Sequence, residues 1–307
     1  MIESGLKRPL FIFTCYNHFM KLREIYKEEN SPVISFEFFP PKDDADGKKT
    51  AALLTEISLL KKYNPALVSL THGAGGTDRT HSVEIINSIS SNFGINVMPH
   101  FTCICSTRAD VDNRLELFKS LAVENILALR GDIPKDTEKC FHDFYYANEL
   151  VEYINAKSDF SVAVAGYPYG HCESKNLKSD IDNLKRKVDA GADVIYTQLF
   201  FDNKVFYDFL ERVRNAGITV PVAAGIMPVV SIKQTEKIIS DIKVKIPADL
   251  LQKFEKFSKN PEDIKKIGVE FASLQCSDLI KQKVDGIHFY TLNKSDSVSK
   301  ILDNNFQ

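Results

Sequence analysis

Eight short and almost continuously apolar runs recur along the 307-residue chain. They show little of the alternation that marks a half-exposed strand, so they predict parallel strands that are covered on both faces. The runs span residues 33–39, 66–73, 96–103, 125–132, 161–168, 194–201, 221–228 and 286–293.

The segments between these runs have helical spacing. Leu177, Ile181, Leu184 and Val188 form one apolar stripe of this kind. Another segment opens on Ser231 with Gln234 three residues later, which is a capping-box pattern, and Gly191 stands where a helix ends before a strand. Residues 246–258 and 262–282 predict two extra helices before the last strand, and the first 30 residues predict a leading helix outside the repeat.

Eight strand–helix alternations in a chain of this length favour an α/β fold of the (β/α)8 TIM-barrel type. We therefore expect residues 1–307 to form a single catalytic domain, with residues 1–30 as an N-terminal extension. The rival is a doubly wound open sheet, which would carry G-x-G-x-x-G after its first strand. Here the first strand ends in Pro40-Pro41, and the glycine cluster at 73–76 follows the second run with the wrong spacing.

Composition excludes several classes of protein. The chain is 44% hydrophobic and 26% charged with a net charge of −2, so it has no basic surface for nucleic acid or an anionic membrane. It has no apolar run long enough to cross a bilayer and no signal peptide, so we expect a cytoplasmic protein. The six cysteines include no C-x-x-C pair, and they are predicted to be reduced, buried thiols.

Polar side chains gather where the eight runs end, which is the face of a barrel that carries active sites. They are Glu37; Thr71 and His72; His100 and Thr102; Arg130 to Asp132; Tyr167 and His171; Gln198 and Asp202; and Asn293 and Lys294. Their shared location is the signal, because no one of them is specific.

Each of these residues also has a purely structural interpretation. His100 could make a core hydrogen bond, Arg130 and Asp132 could form an ion pair, and Tyr167 could pack. Residues 76–82 could simply begin a helix.

Glu37 is harder to explain structurally, because it stands among aromatic residues in the first run. Val33, Ser35, Glu37 and Phe39 share one strand face, and if that face points inward the carboxyl is buried. Burial would raise its pKa and make it a usable proton donor near neutral pH. A metal site is the rival, but no His and acid cluster at ligand spacing accompanies it.

The helix after the fifth run carries a polar ridge beside its apolar stripe. Asp180, Asn183 and Lys187 fall at i, i+3 and i+7, with Arg186 beside them. The ridge could reach a ribose, an adenine or phosphates, or it could be a solvated face.

A set of motifs in chain order resembles the methylenetetrahydrofolate reductase family of flavin enzymes, over about residues 32–296. The motifs are "SFEFFPPK", "THGAGGTDRTHS", "PHFTC", "LALRGD", "AGYPYGH", "DNLKRKVDAGAD", "TQLFFD", "GIMPV" and "HFYTLN". The resemblance implies a (β/α)8 barrel that binds FAD without a Rossmann glycine motif.

The resemblance also implies a reaction in two steps. NADH or NADPH reduces the flavin and leaves, and 5,10-methylenetetrahydrofolate then takes its place. Its ring opens and the flavin hydride reduces the iminium carbon to give 5-methyltetrahydrofolate for methionine synthesis. In this chain Glu37 would supply the proton for ring opening. Asp132 would lie by the flavin, disfavour its anionic reduced form and stabilise the cation.

Further site residues follow from the resemblance. The cofactor set comprises Thr71, His100, Leu129, Arg130, Gly131, Asp132, Tyr146, Ala147, Ala165, Tyr167, His171, Asp180, Asn183, Arg186 and Lys187. The substrate set comprises Glu37, Asp132, Gln198, Gln234 and Lys294, and no metal is implied.

Two positions depart from the family pattern. Ile238 stands where relatives often carry an aromatic residue or leucine, and Lys294 stands where many carry arginine. The chain ends soon after the eighth run, so we expect no C-terminal regulatory domain, and the family suggests a homo-oligomer. Two alternatives are another FAD barrel enzyme, such as proline dehydrogenase, and a reductase-like flavin subunit that takes electrons from a partner protein.

Overall fold

The computed structural model describes most of the chain, and all structural statements concern that part. The described residues are 19–28, 32–41, 44–71, 79–133, 142–240, 242, 244–257 and 260–306. His72, the glycine cluster at 73–76 and the predicted helix start at Thr77 and Asp78 lie outside them.

Eight parallel strands close into a barrel in the order of the chain, β1 to β8. β1 pairs with both β2 and β8, and this pairing closes the barrel. The predicted TIM-barrel class is therefore confirmed. The strands are β1 (Val33–Phe38), β2 (Leu67–Leu70), β3 (Asn96–Thr102), β4 (Asn125–Leu129), β5 (Ser161–Gly166), β6 (Val194–Thr197), β7 (Val222–Ile226) and β8 (Gly286–Tyr290).

Eleven helices belong to the described residues. They are α1 (Leu22–Glu28), α2 (Lys48–Leu60), α3 (Arg79–Ser88), α4 (Arg108–Ser120), α5 (Ala147–Lys157), α6 (Leu177–Asp189), α7 (Asn203–Asn215), α8 (Ile232–Ile239), α9 (Ala248–Lys256), α10 (Pro261–Lys281) and α11 (Ser295–Asn305). α9 and α10 confirm the two extra helices predicted before the last strand. None of the helices in this part of the chain combines the length and apolarity needed to cross a membrane.

The strands bury both of their faces, as continuous apolar runs require. Outward side chains pack against the helices in one large core that includes Phe36, Phe101, Phe206 and Phe289. Inward side chains fill the barrel with a second cluster: Leu67, Met98, Leu127, Ala163, Val194, Tyr196 and Ala223, joined by Leu22 of α1. The barrel is therefore packed along its lower part and has no pore.

Helix α1 closes the N-terminal end of the barrel. The Leu22 N–H donates to Asn125 Oδ1 at 2.7 Å, and Asn125 Nδ2 donates to the Met20 carbonyl at 3.0 Å. The Arg23 N–H donates to Ser161 Oγ at 3.2 Å. Since this end is plugged, access to the barrel is from the C-terminal ends of the strands.

The structure tests two of the predicted helix ends. Gly191 has a φ of 103°, so it ends its helix in the left-handed region as predicted. At α8, Ser231 Oγ accepts the Gln234 N–H at 3.4 Å, which is only one of the two bonds of the predicted capping box.

The cysteines follow the prediction only in part. Cys103 and Cys276 are buried free thiols, and burial raises the pKa of Cys103 to about 12. Cys172 is free but exposed. Cys105 is disulfide-bonded, so the prediction of a reduced thiol is wrong there.

Candidate active site

Glu37 lies inside the barrel near the C-terminal end of β1, with 6% of its surface exposed. Two imidazoles flank its carboxylate. His100 of β3 places Nε2 3.3 Å from Glu37 Oε2, and His288 of β8 places Nε2 3.6 Å from the same oxygen. Alternation along β1 left open which strand face points inward, and the structure shows that Glu37 lies on the inward face.

The pKa of Glu37 is shifted in the direction opposite to the predicted one. Burial alone raises it, but the attraction of His100 and His288 for the carboxylate outweighs burial and lowers the pKa to about 2. The prediction of a raised pKa is therefore wrong for this structure. The apolar neighbours of Glu37 in sequence were visible, whereas the two imidazoles come from distant strands that only the closed barrel brings together.

A cleft opens between the ends of β4 and β5 and the helices α5 and α6. It brings together most of the residues predicted to hold the cofactor. These are Leu129, Arg130, Tyr146, Ala147, Ala165, Tyr167, His171, Asp180, Asn183, Arg186 and Lys187. The polar ridge of α6 therefore faces this cleft, which argues against the solvated-face interpretation.

Lys187 of α6 is partly buried and lines the cleft. Its Nζ donates to the Ala165 carbonyl at 2.5 Å. Burial lowers the pKa of Lys187 to about 8, although Asp180 acts in the opposite direction. A buried ammonium with one backbone acceptor has spare donors, which suits the binding of an anion.

Arg130 forms an ion pair across the mouth of the cleft. Its Nη1 and Nη2 donate to Glu173 Oε2 and Oε1 at 2.5 and 2.7 Å. The partner of Arg130 is thus Glu173 and not Asp132, so the suggested Arg130–Asp132 pair is wrong. Glu173 was not among the predicted site residues, because it stands in a polar loop with no periodicity to distinguish it.

Asp180 is buried and fixes the loop after β5. Its Oδ1 accepts the His171 N–H at 3.2 Å and the Ser174 hydroxyl at 2.8 Å. The Tyr167 and His171 rings meet edge to face with their centroids 4.7 Å apart. The wall of the cleft is therefore preorganised by α6.

A second cavity adjoins the cleft and shares Tyr167 and His171 as lining residues. Asp132 and Gln198 both line it, so two predicted substrate residues lie together. Gln198 Oε1 accepts the N–H of Leu199 at 2.9 Å, which leaves its amide nitrogen to face a ligand.

Besides Glu37 and Gly131, four predicted residues line neither of these two cavities. Thr71 and His100 line a separate, mainly apolar cavity beside α3 and α4. Gln234 is exposed on α8. Lys294 is exposed, and its Nζ lies 3.2 Å from Glu56, so a carboxylate ligand would compete with that glutamate.

Gly131 supports the site through its backbone. Its φ is +88°, and an added Cβ would lie 2.8 Å from Cγ2 of Ile104. A side chain at this position would therefore be strained by both conformation and space.

Within the described residues, one group could present three metal ligands: His171, Cys172 and Glu173. Two of them are already engaged. Glu173 pairs with Arg130, and His171 Nδ1 accepts the Glu173 N–H at 3.2 Å. This arrangement explains the cluster without a metal ion.

A closed barrel with a buried carboxylate near its C-terminal rim and a charged cleft between its fourth and fifth strands defines a (β/α)8-barrel enzyme. The methylenetetrahydrofolate reductase family matches residues 21–305, and the chain belongs to that family.

Individual relatives agree. The chain is 38% identical to the 5,10-methylenetetrahydrofolate reductase of Escherichia coli K12 over 265 residues, which cover 86% of this chain and 87% of that protein. It is 35% identical to methylenetetrahydrofolate reductase (NADH) 1 of Arabidopsis thaliana over 291 residues, covering 90% of this chain but only 49% of the plant protein.

A solved structure shares the fold at much lower identity. It is a Clostridium thermocellum protein described as binding two copies of 5-methyl-5,6,7,8-tetrahydrofolic acid. Its TM-score is 0.62 at 14% identity, with 92% of this chain and 97% of that chain covered. This likeness supports the barrel fold alone.

Proposed function

We propose that this chain is the catalytic barrel of an FAD-dependent methylenetetrahydrofolate reductase. It would reduce 5,10-methylenetetrahydrofolate to 5-methyltetrahydrofolate with NADH or NADPH as the electron donor, and so supply methyl groups for methionine synthesis. The observation that carries the proposal is the buried Glu37 carboxylate between two imidazoles, in a chain of this family.

The cleft between β4 and β5 fits FAD. Lys187 and Arg130 supply positive charge for a diphosphate, while Ala128, Ala165 and Tyr167 provide apolar and aromatic walls. Bound there, FAD would supply hydride transfer between the nicotinamide and the folate. The loop after β5 forms an ordered wall of this cleft, because Asp180 Oδ1 accepts hydrogen bonds from His171 and Ser174.

Glu37 would protonate the folate nitrogen that leaves when the five-membered ring opens. The C–N bond to that nitrogen breaks, and the proton of the carboxyl group goes to the nitrogen. Because Glu37 is ionised in this structure, it must take up a proton first, and exclusion of water by bound ligands favours that form.

Asp132 and Gln198 would act on the same substrate from the adjoining cavity. The Asp132 carboxylate provides negative charge that stabilises a substrate cation electrostatically. The Gln198 amide nitrogen is free to donate to a pterin carbonyl. Gln234 and Lys294 are exposed and would contact the outer parts of the folate.

The test is an anaerobic titration of the purified, FAD-reconstituted protein. NADH or NADPH should bleach the flavin absorbance, and methylenetetrahydrofolate should restore it with formation of 5-methyltetrahydrofolate. A protein that cannot hold FAD would contradict the proposal. Flavin that dithionite bleaches but neither nucleotide bleaches would indicate an electron-transfer partner. Flavin that nucleotide bleaches but folate does not reoxidise would indicate another flavin barrel enzyme.

A further inference from the structure

A layer of buried polar side chains lies inside the barrel beneath Glu37. It consists of Ser35 of β1, Ser69 of β2 and His288 of β8, each no more than 1% exposed. Barrel interiors are usually filled by branched apolar side chains at such positions. A polar layer next to the proposed acid therefore calls for a specific explanation.

The imidazole of His288 is fixed on several sides. Its Nδ1 lies 2.8 Å from Ser35 Oγ, and its Nε2 faces Glu37 Oε2 at 3.6 Å. The rings of Tyr196 and Tyr290 meet it edge to face, with centroids 4.8 and 5.4 Å away. Neither rotation nor displacement of the ring is possible without moving these neighbours.

These contacts assign the tautomer of His288. A carboxylate repels a bare nitrogen lone pair, so Nε2 carries the hydrogen that faces Glu37. Nδ1 is then the acceptor, and the Ser35 hydroxyl is its donor at 2.8 Å. Ser35 thus selects the form of the ring that supports the carboxylate.

We propose that His288, held by Ser35, is a positioning residue that sets the orientation and proton affinity of Glu37 for the folate half-reaction. This inference rests on the proposed function, because it concerns the same acid. His100 lies closer to the same carboxylate, at 3.3 Å, but its Nε2 has no hydrogen-bond partner among the described residues. Both ring nitrogens of His288, in contrast, lie within 3.5 Å of a serine hydroxyl, so the orientation of its ring is the better fixed.

Few groups around His288 can titrate during such an assay. The groups that face it are Glu37 from β1, His100 from β3, Tyr196 from β6 and Tyr290 from its own strand. Burial raises the pKa of Tyr196 to about 12 and that of Tyr290 well above its usual value, so both tyrosines stay neutral. Burial lowers the pKa of His288, and the contact with Glu37 opposes that change.

The test compares His288→Leu and His288→Gln in the two half-reactions as a function of pH. The folate half-reaction needs protonated Glu37, so its rate falls as pH rises through the apparent pKa of that carboxyl. Leucine removes an N–H that favours the ionised form. The pH midpoint of this decline in rate should therefore rise by about one unit in His288→Leu. The maximal rate of the folate half-reaction should drop roughly tenfold. Flavin reduction by the nicotinamide cofactor should keep its rate.

Glutamine provides the rescue, because its amide can offer an N–H to Glu37 without titrating. We expect His288→Gln to return the midpoint towards that of the wild-type enzyme. Ser35→Ala should shift the midpoint in the same direction as His288→Leu but by less. If His288→Leu does not fold, Ser35→Ala is the variant that decides the question. Ser273→Ala removes a buried hydroxyl from α10 and serves as the matched control.

An unchanged midpoint in His288→Leu and Ser35→Ala would overturn the inference, as would equal slowing of both half-reactions. These results differ from failure of the proposed function, in which even the wild-type flavin would not be reoxidised by methylenetetrahydrofolate.

Discussion

At the scale of single residues, Glu37 shows that the neighbours of a buried acid matter more than burial itself. Its ordinary pKa of 4.5 falls to about 2, which corresponds to about 3 kcal/mol in favour of the ionised form. A carboxyl group whose pKa is lower in the folded than in the unfolded protein stabilises the fold at pH values above its unfolded-state pKa. That contribution is present at neutral pH and is lost as the pH falls from about 4.5 towards 2.

Replacement of the carboxyl separates its chemical role from its structural role. We expect Glu37→Gln to reduce its flavin with NADH or NADPH at nearly the wild-type rate. Reoxidation by methylenetetrahydrofolate should slow by roughly 10²- to 10⁴-fold, because an amide cannot protonate the leaving nitrogen. Anaerobic stopped-flow measurement of each half-reaction checks this, with the exposed Glu116→Gln on α4 as control. Equal slowing of both steps would make Glu37 a structural residue.

The sequence predicted the position of Glu37 but not its protonation state. Local geometry predicts that Glu37 stands near the C-terminal end of the first strand, on the same strand face as Ser35, and the closed barrel turns that face inward. The pKa depends on His100 and His288, which are 63 and 251 positions away in the chain. His288 is the one imidazole within an otherwise apolar and aromatic strand, and that signal could have identified it.

At the scale of elements, helix α6 links the core to the cofactor cleft. Asn176 caps its first turn by accepting the Ser179 N–H at 2.9 Å. Ile181 and Leu184 bury one stripe, which fixes the rotation of the helix about its axis. That rotation directs Lys187 towards Ala165 and the cleft, so apolar periodicity determines where the polar ridge points.

Lys187 gives this element a pH-dependent role. Its pKa of about 8 lies below the ordinary 10.5, and a bound diphosphate would favour the charged form. FAD affinity should therefore be highest below pH 8 and decline as the pH rises further. Fluorescence titrations from about pH 7 to about pH 9.5 should reveal this decline, and Lys187→Met should bind weakly without it.

Lys185→Met on the same helix is the matched control, because Lys185 pairs with Asp189 on the surface at 2.6 Å. It should retain both the affinity and the pH dependence of the wild type. Identical curves for wild type and Lys187→Met would show that Lys187 does not contact the cofactor.

Elements were more predictable than the contacts between them. α9 and α10 begin and end within about two residues of their predicted bounds, since hydrophobic periodicity and caps act locally. The strands are shorter than the predicted runs because their polar ends turn into the rim loops. The Arg130–Glu173 pair was not predictable, because it joins two loops without regular structure.

At the scale of the whole molecule, closure of the barrel does two things. It brings β1 beside β8, which places His288 next to Glu37, and it leaves one end for α1 to plug. The sequence predicted a leading helix but not its docking, because that depends on Asn125 at the start of β4. The side chain of Asn125 is fully buried and satisfies two backbone groups of the α1 segment.

Asn125→Ala should therefore destabilise the whole fold. It removes the acceptor for the Leu22 N–H and the donor for the Met20 carbonyl, and each unsatisfied buried group costs about 1–3 kcal/mol. We expect the free energy of unfolding in urea to fall by about 2–4 kcal/mol. Asp159→Ala removes the ion-pair partner of Lys21 and Arg23, but its side chain is 78% exposed, so solvent screening should make the loss of stability much smaller. If the two variants lose the same stability, α1 is held by surface charge and not by the buried amide.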